Sequence, residues 1–195
     1  MVTSSGLYHN EKEITKMRLL QKVDSRGKTY FEIRDARVMR RPFRNFGGRP
    51  STIHPNGGVR EFGVFLDDPE AAQQLAEYGF NVKTFTSRDG SDGDDQHWLS
   101  IKVKYYNRKG EPLAYPPIFV IRTANNVCYY EENNIKELDD HELENVNIRF
   151  YPDSRDVGGK HFETPYLNLF KGTLIEDDFF DDEFDDEGGL PFEVD

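Results

Sequence analysis

Apolar positions recur every second residue through much of the chain. Tyr30 to Met39 reads YFEIRDARVM, with Phe31 and Ile33 on one face and Tyr30, Glu32 and Arg34 on the other, the period of a strand. After Gly57-Gly58 the segment VREFGVFLDD alternates again: Val59, Glu61, Gly63 and Phe65 against Arg60, Phe62, Val64 and Leu66. FNVKTF and WLSIKVKYY continue the pattern, as do PPIFVIRT, VCYY, VNIRFYPD and YLNLFKGTLI. One helix interrupts it. Asp68 as N-cap and Pro69 at the first helical position open EAAQQLAEY, Gly79 closes it, and Ala72, Leu75 and Ala76 form its apolar stripe. Ile14, Met17 and Leu20 fall at helical spacing and predict a short amphipathic helix, with a partly ordered arm as the alternative. NNIKELDDHELENV predicts short helical turns, and DSRDVGGKHF, with Lys160 and His161, reads as a loop. Many short strands, one clear helix and Gly-rich turns predict a mainly β domain, a small barrel or sandwich.

Charge divides the chain. It carries 36 acids and 25 bases, a net charge of −11. Glu176 to Asp195, EDDFFDDEFDDEGGLPFEVD, holds eleven acids and no base, so the remaining 25 acids balance the 25 bases. Such a block repels itself and needs water, which predicts a disordered interaction tail. Phe179, Phe180, Phe184 and Phe192 punctuate it, and Gly188-Gly189 sets apart an apolar hook, Leu190-Pro191-Phe192. Acid run, flexible joint and hook describe a peptide ligand for partner proteins; the alternative is a solubilising or DNA-mimicking tail. Three regions follow: an N-terminal arm or short helix over residues 1–27, a nucleic-acid-binding domain over 28–175 and the acidic tail over 176–195.

The neutral body gathers its bases locally. Arg34, Arg37, Arg40, Arg41, Arg44 and Arg49 fall within sixteen residues, with Asp35 the only acid and with Phe43 and Phe46 between them. That composition suits phosphate neutralisation with base stacking; the plainer reading is a charged strand and surface loop. On Trp98 to Tyr106, Leu99, Ile101, Val103 and Tyr105 form a core face, which predicts an exposed face of Trp98, Ser100, Lys102, Lys104 and Tyr106. Aromatic platforms beside ammonium groups are what sequence-tolerant single-strand binding requires, although a half-buried strand with solvated lysines fits the same pattern. The candidate contact set is therefore Arg37, Arg40, Arg41, Arg44, Phe46, Arg49, Arg60, Lys83, Trp98, Lys102, Lys104 and Tyr106.

Catalytic chemistry finds no support in the motifs. No phosphate loop, nucleophile elbow or paired-His metal motif is present, and His9, His54, His97, His141 and His161 show no ligand spacing. RDGSDGDD has Ser91 and Gly93 where a calcium loop places Asp or Asn, and reads as a hairpin loop. No cofactor or metal is expected. Cys128 is the sole cysteine, so no internal disulfide can form, and no apolar run approaches membrane-spanning length; a cytoplasmic setting is expected.

The stretches RNFGG (44–48), REFGVFLDD (60–68), Leu75-Ala76, GFNVK (79–83), LENVNIRFYP (143–152) and GGKHFETPYLNLFKGTLI (158–175) resemble phage-encoded single-stranded-DNA-binding proteins of the oligonucleotide-binding-fold type. The resemblance spans most of residues 30–175. It implies an OB-fold-like small barrel with a short cover helix, which here comes earlier than in the standard barrel order. It also implies a non-enzymatic replication or recombination protein that coats single strands in an infected bacterium. The tail is similar to the acidic C-termini of bacterial and phage single-strand binders, whose hooks end in Phe; here Glu193-Val194-Asp195 follows Phe192. The implied partners are single-stranded DNA, replication or recombination proteins such as a polymerase, helicase, primase or nuclease, and a second copy of the chain. An acidic interaction protein that mimics DNA is the alternative, but a mimic spreads acids over its folded surface, whereas this body is neutral with clustered bases.

Overall fold

The computed structural model describes residues 16–86 and 95–175. The predicted tail, its hook Leu190-Pro191-Phe192, residues 1–15 and most of the RDGSDGDD turn lie outside the described residues. The strands in chain order are β1 (Arg18–Val23), β2 (Thr29–Val38), β3 (Arg44–Asn45) and β4 (Glu61–Leu66). Helix α1 (Pro69–Tyr78) follows, then β5 (Lys83–Phe85), β6 (Gln96–Lys102), β7 (Ile118–Arg122), β8 (Val127–Tyr130), β9 (Leu143–Val157) and β10 (Lys160–Leu174).

Five strands form a ring in the order β2-β4-β6-β10-β9, with β9 returning to β2. Every pairing in it is antiparallel except β6 with β10, which run parallel and meet at one bridge, Lys102↔Tyr166. The closure is therefore thin, and the fold is an OB-like open barrel. Asp35, at φ 52°, sits where the β2–β9 register slips between Ile33 and Ala36, a bulge of the kind that bends a strand at a barrel rim. β5 extends the sheet beyond β6, and β7 and β8 extend it beyond β10.

The barrel is filled by rings. Phe31, Phe46, Phe62, Phe119, Phe150 and Phe170 are all fully buried. Phe46 lies 5.1 Å from Phe62, 5.2 Å from Phe119 and 5.5 Å from Phe170 between ring centroids. Removing such a ring costs about 3–5 kcal/mol.

Helix α1 forms as its sequence dictates. Asp68 accepts a hydrogen bond from the Glu70 N–H, Pro69 stands in the first turn, and Gly79 closes the helix in the left-handed conformation at φ 114°. Its buried stripe is Ala71, Ala72 and Leu75, so Ala76 is outside it. At the N-terminus the helical expectation fails for Arg18–Val23, which pair antiparallel with Thr29–Arg34 as a strand. The period of three was short, and the free edge of β2 supplied backbone partners that a solitary helix would have lacked. The expected loop at DSRDVGGKHF is instead a long hairpin, with β9 and β10 paired up to Val157↔Lys160 and Gly158-Gly159 turning at φ 59° and 76°. The helical turn expected in NNIKELDDHELENV is a 3-10 helix, Ile135–Asp139.

Candidate nucleic-acid interface

β4, β5 and β6 build the candidate surface. Leu99 and Ile101 of β6, and Val103 just past its end, are buried as predicted, whereas Tyr105, the fourth residue of the expected core face, lies beyond the strand and is half-buried. On the outward face of β6 Trp98 stands opposite Phe65 of β4 and Lys83 of β5. Trp98 is only 7% exposed, because its neighbours close over it. Phe85 stacks on it at 5.5 Å and 13°, Phe43 meets it edge-on at 5.3 Å, and the Lys83 ammonium lies 4.5 Å from its ring centre. Gly63 makes room beneath; a Cβ there would stand 2.4 Å from Met39 Sδ. Phe85, 39% exposed, and half-buried Phe43 and Phe65 present the platform's open rings. Arg37 covers Phe65 at 4.1 Å and pairs with Asp67 in an exposed ion pair. The face expected to expose Trp98 buries it instead: Phe43 and Phe85 pack on its ring, and Phe65 stands across from it on β4.

Further along β6 the face becomes a polar groove. A cavity of about 300 Å³ lies among His54, Ser100, Lys102 and Glu163. Glu61 anchors its floor: the Ser100 hydroxyl donates to it at 3.0 Å, His54 Nε2 lies 2.6 Å away, and Lys102 Nζ closes on its other oxygen. Burial pushes the Glu61 carboxyl up, but the hydrogen bonds from Lys102 and His54 outweigh this and hold it below its ordinary range. Lys102 therefore reaches the groove already neutralised by a buried acid. Glu163 of the lining is held from behind by His161, whose Nε2 lies 2.8 Å from it and whose Nδ1 lies 3.1 Å from Asp156. Hydrogen bonding to Asp156 and then Glu163 raises the His161 pKa, since only the imidazolium can donate to both.

The arginine segment does something else. Arg44 is 4% exposed, and its guanidinium donates to the carbonyls of Asp139 at 3.1 Å and His141 at 2.6 Å. Asp139, also buried, accepts from the Phe46 N–H at 2.6 Å and the Gly47 N–H at 3.1 Å. Arg49 donates to the Lys136 carbonyl at 2.7 Å, Arg41 pairs with Asp140 at 3.1 Å and Arg40 pairs with Glu142. A Cβ on Gly47 would stand 2.6 Å from Lys136 Cβ, so the two segments are in direct contact. The arginine cluster is thus largely a fastener between the loop after β2 and residues 136–142.

The family described as "Putative phage ssDNA-binding domain" matches residues 21–186. The chain belongs to that family. It is thereby a phage-type single-stranded-DNA-binding protein, as the resemblance implied. Among solved structures it is similar to the single-stranded DNA-binding protein from bacteriophage Enc34 in complex with ssDNA, at 9% identity and a TM-score of 0.45, over 83% of this chain and 98% of that one. It is also similar to gp2.5, a single-stranded DNA-binding protein encoded by bacteriophage T7, at 11% identity and a TM-score of 0.35, over 92% of this chain and 100% of that one. No curated protein sequence matches it.

Of the expected contact residues in this family member, the structure brings Arg37, Lys83, Trp98 and Lys102 onto one face. It removes Phe46 and Arg44 to the interior, where the loop's apolar ring fills the barrel and its guanidinium satisfies buried carbonyls. Arg60 pairs with Glu132 at 2.6 Å and lies over Tyr105, and the Tyr106 hydroxyl donates to the same Glu132 at 2.7 Å. That group is separate from the platform, because β6 ends at Lys102 and Tyr106 bridges Pro112 instead. Lys104 stands 5.1 Å over the ring of Tyr166 on β10. Sequence reasoning missed Phe65 and Phe85. Phe65 shared the Glu61–Gly63 side of its strand, and that alternation was the available signal.

Proposed function

We propose that this protein coats single-stranded DNA in a sequence-tolerant way through the outer face of β4, β5 and β6. The observation that carries the reading is the aromatic platform of Phe43 and Phe85 packed on Trp98 with Phe65 beside it on β4, flanked by the Lys83 and Arg37 cations. In OB-type barrels this face, with its neighbouring loops, is where oligonucleotides lie. Bases stack on the open rings, and every base has a stacking face, so affinity depends little on sequence. Duplex is a poor ligand because its bases already stack on each other. Lys83 and Arg37 neutralise phosphates; the Arg37–Asp67 pair is exposed, so it exchanges for a phosphate at small cost. Arg40, 78% exposed on the turn that delivers Phe43, supplies a further cation at the rim by exchanging its exposed pair with Glu142 for a phosphate.

The biological reading is a coat for DNA strands exposed during replication or recombination, with no chemical step of its own. The acidic segment 176–195 serves as the recruiting arm, its Leu190-Pro191-Phe192 hook taken by replication or recombination proteins. The test is a gel-shift with oligo-dT, a mixed-sequence oligonucleotide and a duplex, at low and moderate salt. The reading expects similar retention of both single strands, weak duplex binding and loss of affinity as salt rises. Equal binding of duplex, or none of any strand, would overturn it.

A further inference from the structure

A second aromatic and basic hollow lies outside the platform. Its cavity is about 570 Å³, within the range of pockets that hold small organic ligands. Four tyrosines line it: Tyr78 of α1, which packs on Phe31 and Phe80, and three others from separate elements, Tyr115 from the segment between β6 and β7, Tyr151 of β9 and Tyr166 of β10. Tyr151 and Tyr166 are register partners across β9 and β10, on the outer face of the barrel. Tyr115 is 80% exposed, so its ring is open to a ligand.

The hollow is positively biased although the body as a whole is neutral. Arg26, Lys28 and Lys104 line it, against one lining carboxylate, Asp153. Arg26 lies 6.0 Å from the Tyr115 ring and is paired with Asp24, while Asp153 faces Arg155 at 3.8 Å. Lys28 and Lys104 have no ion pair among the described residues. Lys104 instead rests over Tyr166, the arrangement in which an ammonium and a ring act together.

Its position links it to the platform. Tyr166 bridges Lys102, so the hollow begins where the groove beside β6 ends. Trp98, Ser100, Lys102 and Lys104 point outward in sequence, and six extended residues span about 20 Å. A single strand leaving the platform past Lys102 arrives at the tyrosines.

We infer that the Tyr115–Tyr151–Tyr166 hollow is a second subsite for single-stranded DNA, which stacks a base against the tyrosines and meets its phosphates with Lys28 and Lys104. The path thus runs from β5 along β6 and across β10 to β9. This rests on the proposed binding of single strands at the platform. The subsite lengthens the footprint, toward the upper part of the roughly 4–16 nucleotides an OB-type domain covers.

The test uses the full chain and labelled oligo-dT of about 4 and about 12 nucleotides, short and long within that span, with affinity read by fluorescence anisotropy. Tyr115→Ala combined with Lys104→Gln leaves the buried core untouched, and circular dichroism checks the fold. The inference expects unchanged affinity for the short oligonucleotide and roughly a 5- to 150-fold loss for the long one, the loss of one stacked base. Tyr115→Phe, which keeps the ring, should restore most of the long-oligonucleotide affinity. Phe85→Ala should weaken both lengths. If the pocket variant binds both lengths like the parent while Phe85→Ala weakens both, the subsite is refuted and the platform stands. If the pocket variant loses affinity while Phe85→Ala changes neither length, the hollow binds DNA and the platform is refuted.

Discussion

Phe85→Ala separates DNA contact from folding more cleanly than any other change on the platform. Phe85 is on the three-residue edge strand β5, 39% exposed, with one face on Trp98 at 5.5 Å and an edge toward Phe43 at 5.7 Å. Its stability contribution is modest, because it lies outside the barrel core: an aromatic pair adds about 0.5–1.5 kcal/mol beyond its buried area. At about 2–4 °C per kcal/mol for a chain of this size, the melting temperature should fall by only a few degrees. Its DNA contribution should be larger, about 1–3 kcal/mol for one lost stacking surface, or roughly 5- to 150-fold in Kd. Trp98→Ala should do the reverse. It empties a buried site and costs about 3–5 kcal/mol of stability, so its binding defect is confounded by unfolding. The assay is a titration of oligo-dT at fixed salt, paired with thermal melts of the free proteins. A Phe85→Ala protein that melts normally and binds with parental affinity would refute stacking on this face.

The remaining expectations are independent of that one. Arg44→Ala should cost roughly 1.5–3 kcal/mol for each of its two charged hydrogen bonds and lower the melting point, whereas Arg40→Glu should leave stability near parental and flatten the slope of log K against log salt by about 0.7; parental melting for the first, or an unchanged slope for the second, would contradict this. Burial pushes the Glu32 carboxyl up, but hydrogen bonds from Lys22 and Arg149 bring it from 4.5 down to about 2. Its folded value is thus depressed, so its stabilisation is complete above the ordinary carboxylate range and drains away as pH falls from about 5 toward 2; denaturant melts of Glu32→Gln should show lower stability at pH 7 and a flatter acid limb. Truncation after Ile175 should raise oligo-dT affinity at low salt, with the gain shrinking as salt rises, because a tethered acidic segment competes for the basic face. Phe192→Ala alone should impair capture of a replication partner while hardly changing DNA affinity.

Local patterns in the sequence were sufficient wherever the cause was local. Asp68, Pro69 and Gly79 set α1 through their own backbone geometry, and the alternation of Leu99, Ile101 and Val103 identified the core face of β6 without any tertiary knowledge. Within the arginine segment, Arg41, Arg44 and Arg49 were misread for the opposite reason. The segment's composition matched a phosphate site, but the acids and carbonyls that engage these three, at residues 136–142, are almost a hundred positions away and invisible to spacing. Phe46 failed similarly: a ring in a Gly-rich loop looks exposed until the loop folds over the barrel end. Trp98 was placed on the correct face but at the wrong depth, since strand period gives the side on which a residue projects and not what later covers it. Phe85 and Tyr166 reach their positions only through strand pairing, β5 on β6 and β10 on β6.

Single strands are proposed to lie on the outer face of β4, β5 and β6. Photo-crosslinking of oligo-dT to the full-length protein, with crosslinked positions mapped by mass spectrometry, tests this most directly. Adducts are expected at Phe85, Phe43 and Phe65, with none at the buried Phe46. Adducts confined to the β7–β8 side around Tyr129 and Arg60, with the three platform phenylalanines unmodified, would contradict it.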